Sequence, residues 1–151
     1  MNIIEDTRQK KGSAHAAKHK TWEEAGDNVY RCALPYGDYA LPPEKSVDTK
    51  ANLEEIASNL CGSKAERERV MREEKLAQTM DATLIFVIET YEAENKTDLI
   101  GKRIILKSGK VVKGEELMKS MNQHEAVYGS EFYFCKPGES GDKVKELLKR
   151  N

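Results

Sequence analysis

The 151 residues predict an α/β sandwich built on a mixed β-sheet. Short segments rich in strand formers alternate with helical ones in the order β-α-β-β-β-α-α-β, followed by an α/β tail. The segment ATLIFVIE, residues 82–89, holds an apolar run bounded by polar residues, which suits a strand covered on both faces. Between Asn52 and Gly62, Leu53, Ile56, Ala57 and Leu60 recur at helical spacing, giving an amphipathic helix with a cap and a stop.

The remaining elements follow in order. Residues 2–6 (NIIED) read as a short strand ending in acids. After the Gly12-Ser13 break, residues 14–25 are helical and Gly26 stops them. Residues 29–34 (VYRCAL) alternate like a strand. Pro35 and Gly37 punctuate, residues 39–41 resume an extended path, Pro42-Pro43 turns the chain, and residues 46–50 (SVDTK) form the next strand. Residues 64–80 make a longer charged helix whose buried stripe is Val70, Met71, Leu76, Ala77 and Met80. Most of the run 64–75 is expected to be a solvated face. In the last third, residues 103–106 and 110–112 pair around Ser108-Gly109, 115–127 is a helix, 131–135 (EFYFC) a strand and 142–150 a closing helix.

At 38% hydrophobic and 34% charged residues, the chain reads as one globular domain. No apolar run approaches the ~20 residues that cross a bilayer, so no membrane partner is expected. The N-terminal residues lack the apolar core of a signal peptide, and a cytoplasmic location is the expectation. Cys32, Cys61 and Cys135 are widely spaced without a CxxC and are expected to be buried small hydrophobes. The net charge is −1, yet residues 7–20 carry five Lys/Arg and two His with no acid. That patch can meet a phosphate backbone or form a solvated helix face.

Chemistry is suggested by LPYGDYALPPEKSVDTK, residues 34–50. Asp48 and Lys50 lie two apart and therefore share one face of a strand. Asp38 sits at a neighbouring strand junction, and Asp6 ends the first strand. Carboxylates gathered at one end of a sheet repel one another unless a cation lies between them. Oxygen ligands suit Mg²⁺ or Mn²⁺, which acidify a bound water and stabilise charge on a phosphate. The alternative is ordinary surface salt bridging among 26 acidic residues.

The succession IIEDTRQKKG, LPYGDYAL, SVDTKANLEEIASNL, ERERVMREEKLAQ and LIFVIE resembles the nuclease domain of the XPF family, part of the PD-(D/E)xK, restriction-endonuclease-like superfamily. It is most similar to the short stand-alone version found in bacteria, phages and mobile elements, with GEELMKSM, YGSEFYFC and the final LLKR fitting that version. The resemblance implies a restriction-endonuclease-like fold, a central mixed sheet flanked by helices, as a single domain over residues 1–151 with a core at 1–90 and an α/β extension at 91–151. It also implies a metal-dependent DNA endonuclease using Mg²⁺ or Mn²⁺, acting in DNA repair, recombination or phage and mobile-element DNA processing.

By position, Asp38 is similar to the family's first metal ligand, Asp48 to the acid of its (D/E)-x-K and Lys50 to the lysine that positions the attacking water. The Thr49 carbonyl would be a third ligand. Asp6 matches the Asp of the D-x-R-(E/Q) segment, Glu54 the acidic position after the lysine, and Arg69 a helix arginine facing the site. Arg8, Lys10, Lys11, His19 and Lys20 would face DNA, and Glu89 would either support the acids or be solvated. Departures include Asp-Thr-Lys for the usual Glu-Arg-Lys, Gln9 for a frequent Glu, Val70 for the usual aromatic after the arginine, and no helix-hairpin-helix module. The second reading is a nuclease-like module that binds DNA or protein without cutting.

His15 and His19, four apart on a helix, could be half of a zinc site, but the sequence offers no third ligand, so a polar face beside DNA is expected. Trp22, the single tryptophan, is expected in the core beneath that helix. Family relatives often dimerise, and EFYFC with its flanking helix offers either a homodimer surface or a piece of core.

Overall fold

The computed structural model describes residues 2–34, 36–41 and 45–149. The breaks assigned to Pro35 and Pro42-Pro43, and the last residue of the expected closing helix, Arg150, lie outside them. Five strands and three helices make the first part: β1 (Asn2–Asp6), α1 (Ser13–Glu24), β2 (Asn28–Cys32), β3 (Tyr39–Leu41), β4 (Lys45–Lys50), α2 (Leu53–Cys61), α3 (Lys64–Thr79) and β5 (Thr83–Glu89). A 3-10 turn at Lys96–Leu99 leads to the hairpin β6 (Arg103–Ile105) and β7 (Val111–Lys113), then α4 (Gly114–Tyr128), β8 (Glu131–Cys135) and α5 (Ser140–Lys149).

Six strands form one mixed sheet in the order β2-β1-β3-β4-β5-β8. β1 runs parallel to β2, antiparallel to β3, and β3 antiparallel to β4. β4, β5 and β8 are parallel neighbours. β5 is an interior strand, between β4 and β8, as the apolar run requires. Leu84, Phe86 and Ile88 enter the core under α2, α3 and α4, while Ile85 and Val87 enter the opposite core with Trp22 of α1 and Val144, Leu147 and Leu148 of α5. The strand thus separates two apolar layers, each side chain choosing its layer by the period of two.

Local sequence explains the helix ends. Asn52 accepts from the Glu55 amide at 2.8 Å and Ser63 from the Glu66 amide at 3.3 Å, capping α2 and α3. At the C-terminal side of α1, Gly26 adopts φ 74°, where a side chain would be strained. Trp22 is fully buried, its indole N–H donating to the Gly141 carbonyl at 3.0 Å across to α5. The EFYFC segment is β8, paired to β5 at the sheet's edge.

Two expectations need correction. Cys61 is buried, but Cys135 is only partly so and Cys32 is exposed, because it closes β2, the outermost strand. On α3, Leu76 and Met80 are exposed rather than part of its buried stripe, whereas Glu74 is buried and binds His124 and Ser130 at 2.6 Å each. Among the described residues no helix is long and apolar enough to cross a membrane.

Candidate active site at the ends of strands β3 and β4

The site begins where two strands part. β3 pairs with β4 only as far as Tyr39↔Val47. Beyond that point the Asp38 amide still donates to the Val47 carbonyl at 2.9 Å, and the next β4 amide, that of Thr49, donates to the Asp38 side chain at 2.8 Å. The carboxylate has replaced the missing ladder partner. Gly37 makes this turn with φ 69°, and a Cβ there would lie 2.0 Å from the Ser46 hydroxyl. That hydroxyl donates to the Tyr36 and Tyr39 carbonyls at 3.0 and 3.2 Å, so β4 itself fixes the loop that presents Asp38.

Asp48 and Lys50 alternate with Val47, so they face the α2–α3 layer. The Lys50 ammonium lies 2.8 Å from the Asp48 carboxylate and 5.7 Å from the centre of the Phe86 ring. Both residues are buried. Burial lowers the ammonium's proton affinity, but the charge and hydrogen bond of Asp48 more than reverse this, so Lys50 stays protonated. Asp38 behaves oppositely. Burial first, then the neighbouring charge of Asp48, push its carboxyl up to about 8, against the influence of Thr49 and Gln9. With one ammonium for two carboxyl groups, the site holds a proton on Asp38 where a second cation would otherwise be needed for both to ionise.

Three further side chains join them that the sequence reading did not select. Glu73 of α3 accepts from the Gly37 amide at 3.5 Å and from Arg69 at 3.4 Å. Burial, then Asp48, raise its pKa, which marks it as a neighbour of the acidic pair. Its signal was the i, i+4 spacing from Arg69, itself brought to the site through this contact. Gln9, at the position where a Glu is frequent, lies near Asp38 and favours its ionised form. Glu55 accepts from the Ala51 amide at 2.8 Å and its charge supports Lys50; Glu54 and Glu55 both line a second groove between α2 and the Leu106–Ser108 turn, and only Glu55 also reaches the strand-end cleft.

Asp6 stands beside the site through its backbone, its amide donating to the Asp38 carbonyl at 2.6 Å. Its carboxylate is occupied elsewhere, by Arg8 at 2.6 Å and the Leu34 amide at 3.2 Å. Glu89 ends β5 and accepts from the Gly138 amide at 3.0 Å. A cleft of about 490 Å³ runs past the strand ends, bordered by Arg8, Lys10, Lys18, Thr49, Glu55 and Glu89. Lys11 and Lys20 are exposed, while His19 turns inward to Glu5 at 2.6 Å.

The mixed six-stranded sheet between two helical layers has the architecture of an XPF-like nuclease fold. Among solved structures, XPF from Aeropyrum pernix superposes with a TM-score of 0.67 at 15% identity, over 100% of this chain and 63% of that one. The same protein in complex with DNA gives a TM-score of 0.67 at 16% identity, over 97% of this chain and 62% of that one. This chain therefore spans a little under two-thirds of the length of those structures. No family model matches it, and no curated protein does.

Proposed function

We propose that this protein is a divalent-metal-dependent DNA endonuclease hydrolysing phosphodiester bonds, with a role in DNA repair, recombination or mobile-element DNA processing. The observation that carries the reading is the enclosed Asp38–Asp48–Lys50 group. Its two carboxyl groups share one ammonium, and the strand that carries Asp48 and Lys50 borders, at Thr49, an open cleft lined by Arg8, Lys10 and Lys18 together with Glu55 and Glu89. The likeness to a fold whose solved relative is in complex with DNA supports the choice of substrate.

The donor set fits Mg²⁺ or Mn²⁺. Every candidate ligand is oxygen: Asp38, Asp48, the Thr49 carbonyl and, through Glu73, a third carboxylate. A strand residue's N–H and C=O leave from the same edge, so the Thr49 carbonyl lies on the edge where its amide meets Asp38. A bound dication would acidify a water and neutralise charge developing on the phosphate. The chain's own residues supply the rest. Protonated Lys50, held by Asp48, orients water or a phosphate oxygen as a point charge and does not act as a base. Thr49 holds Asp38 in place through its amide and hydroxyl. Arg8, Lys10 and Lys18 bring positive charge to the cleft that a phosphate backbone would follow.

The test is cleavage of labelled duplex, flap, fork and single-stranded DNA with Mg²⁺, with Mn²⁺ and with EDTA. Metal-dependent cutting of any substrate is the expected result. Binding without cutting on all of them would instead favour the non-cleaving module.

A further inference from the structure

On the sheet face opposite Asp48 and Lys50, α1 lies across β1. Glu5 of β1 is fully buried there. His15 and His19, one turn apart on α1, present their Nε2 atoms to its carboxylate at 3.1 and 2.6 Å, with their rings 4.1 Å apart. Three ligand atoms, one from each residue, lie within 4.8 Å of one another. The third partner absent from the local helix pattern is thus supplied by a strand. We propose that Glu5, His15 and His19 form a site for one zinc-class divalent transition-metal cation, separate from the Asp38–Asp48 group, that clamps α1 onto β1.

Distances and chemistry favour this set. Zinc bonds to imidazole nitrogen and carboxylate oxygen of about 2.0–2.2 Å place tetrahedral donors roughly 3.3 Å apart. The carboxylate–imidazole separations of 2.6 and 3.1 Å reach that with small side-chain shifts, the ion replacing the protons now shared. The outer oxygen of Glu5 is already anchored by Arg31 at 2.9 Å, and Arg31 in turn donates to the Thr7 and Gln9 carbonyls. Outer-shell anchoring of this kind orients ligating carboxylates. The His15 and His19 side chains are 11% and 29% exposed, so an ion can enter from the helix side and keep a water in the fourth position. Across from Glu5 in the β1–β3 register, Tyr39 has a buried hydroxyl without a hydrogen-bond partner among the described residues. The helix gains from a clamp, because Gly12 gives its N-terminus no side-chain cap and only Lys18 and Trp22 are buried along it.

The chelator-treated full chain would be titrated with Co²⁺, reading visible absorption and the fluorescence of Trp22, whose ring lies 5.5 Å from that of His19. Zn²⁺ competition would follow. One tight equivalent should bind ahead of any weaker uptake by the oxygen-only Asp38–Asp48 group, quench Trp22 and give the intense absorption of tetrahedral Co²⁺, with Zn²⁺ displacing it. His15→Gln or His19→Gln should weaken binding by roughly 100-fold or more, at the upper end of ligand-shell effects. An Asp38→Asn/Asp48→Asn double variant should leave the affinity unchanged within about twofold, since it removes only the other site's charge. No stoichiometric binding, binding indifferent to both histidine variants, or binding lost in the aspartate double variant would each overturn the proposal. Should a histidine variant unfold by circular dichroism, the parent's spectrum decides: weak octahedral bands reject the site. None of these readouts depends on DNA cleavage.

Discussion

Asp48 and Lys50 form an ion pair of 2.8 Å within a single strand, with both side chains buried. A buried pair of this kind rarely contributes net stability over apolar packing, yet breaking it costs about 3–5 kcal/mol because one charge is left uncompensated. Lys50→Met should therefore destabilise the metal-free protein by that order. Excess Mg²⁺ should restore part of the loss, raising the Tm of the variant by more than that of the parent. Thermal unfolding with and without Mg²⁺ measures both.

Asp38 makes stability pH-dependent in an unusual direction. Its folded carboxyl titrates near 8, above the unfolded value of about 4, so the folded state holds the extra proton between those limits. Its contribution is present below about pH 4 and is lost as pH rises through about 8. Asp38→Asn removes the titration but keeps an oxygen for the Thr49 amide. Without divalent metal, the variant should be more stable than the parent at pH 8 by at least about 1.4 kcal/mol, one pKa unit's worth. The difference should shrink toward pH 5. Denaturant unfolding at the two pH values reads it.

Glu73 holds the Gly37 amide and Arg69 while its charge bears on Asp48. Glu73→Gln keeps the shape and removes the charge. In the nuclease reading, the metal concentration needed for half-maximal cleavage should rise about 10- to 100-fold. Metal titrations of the cleavage rate give the value.

Asp6 is expected to act differently from the other acids. Its carboxylate is spent on Arg8 and the Leu34 amide, tying the segment before Asp38 to β1. Asp6→Ala should cost about 1–3 kcal/mol by stranding those donors. It should leave Mg²⁺ affinity within a few-fold of the parent, as measured by calorimetry. A metal affinity lost outright would make Asp6 a ligand.

What the sequence disclosed and what it concealed follow one physical division. The run Leu84–Ile88 announced a strand between two layers because its apolarity is continuous. Asp48 and Lys50 could be placed on one face because the strand period is local. Contacts between layers carry no such period. Glu73 reaches Gly37 only because α3 docks over that end of the sheet, and Glu55 rather than Glu54 turns toward Lys50 because of where α2 begins. Glu5 read as an acid at a strand end, since nothing local shows that the next helix crosses it with two histidines down.

If Asp48 belongs to a hydrolytic metal site, Asp48→Ala should separate cleavage from DNA binding. Removing Asp48 lifts the smaller of the two influences that keep Asp38 protonated, burial being the larger, and leaves buried Lys50 without its partner, so the variant is assayed well below its own Tm with its fold checked by circular dichroism. Mg²⁺-dependent cleavage of DNA by this variant should fall at least ~100-fold, the scale of losing one preorganised electrostatic group, with DNA binding and the circular dichroism spectrum retained. Cleavage at the parental rate would contradict the account.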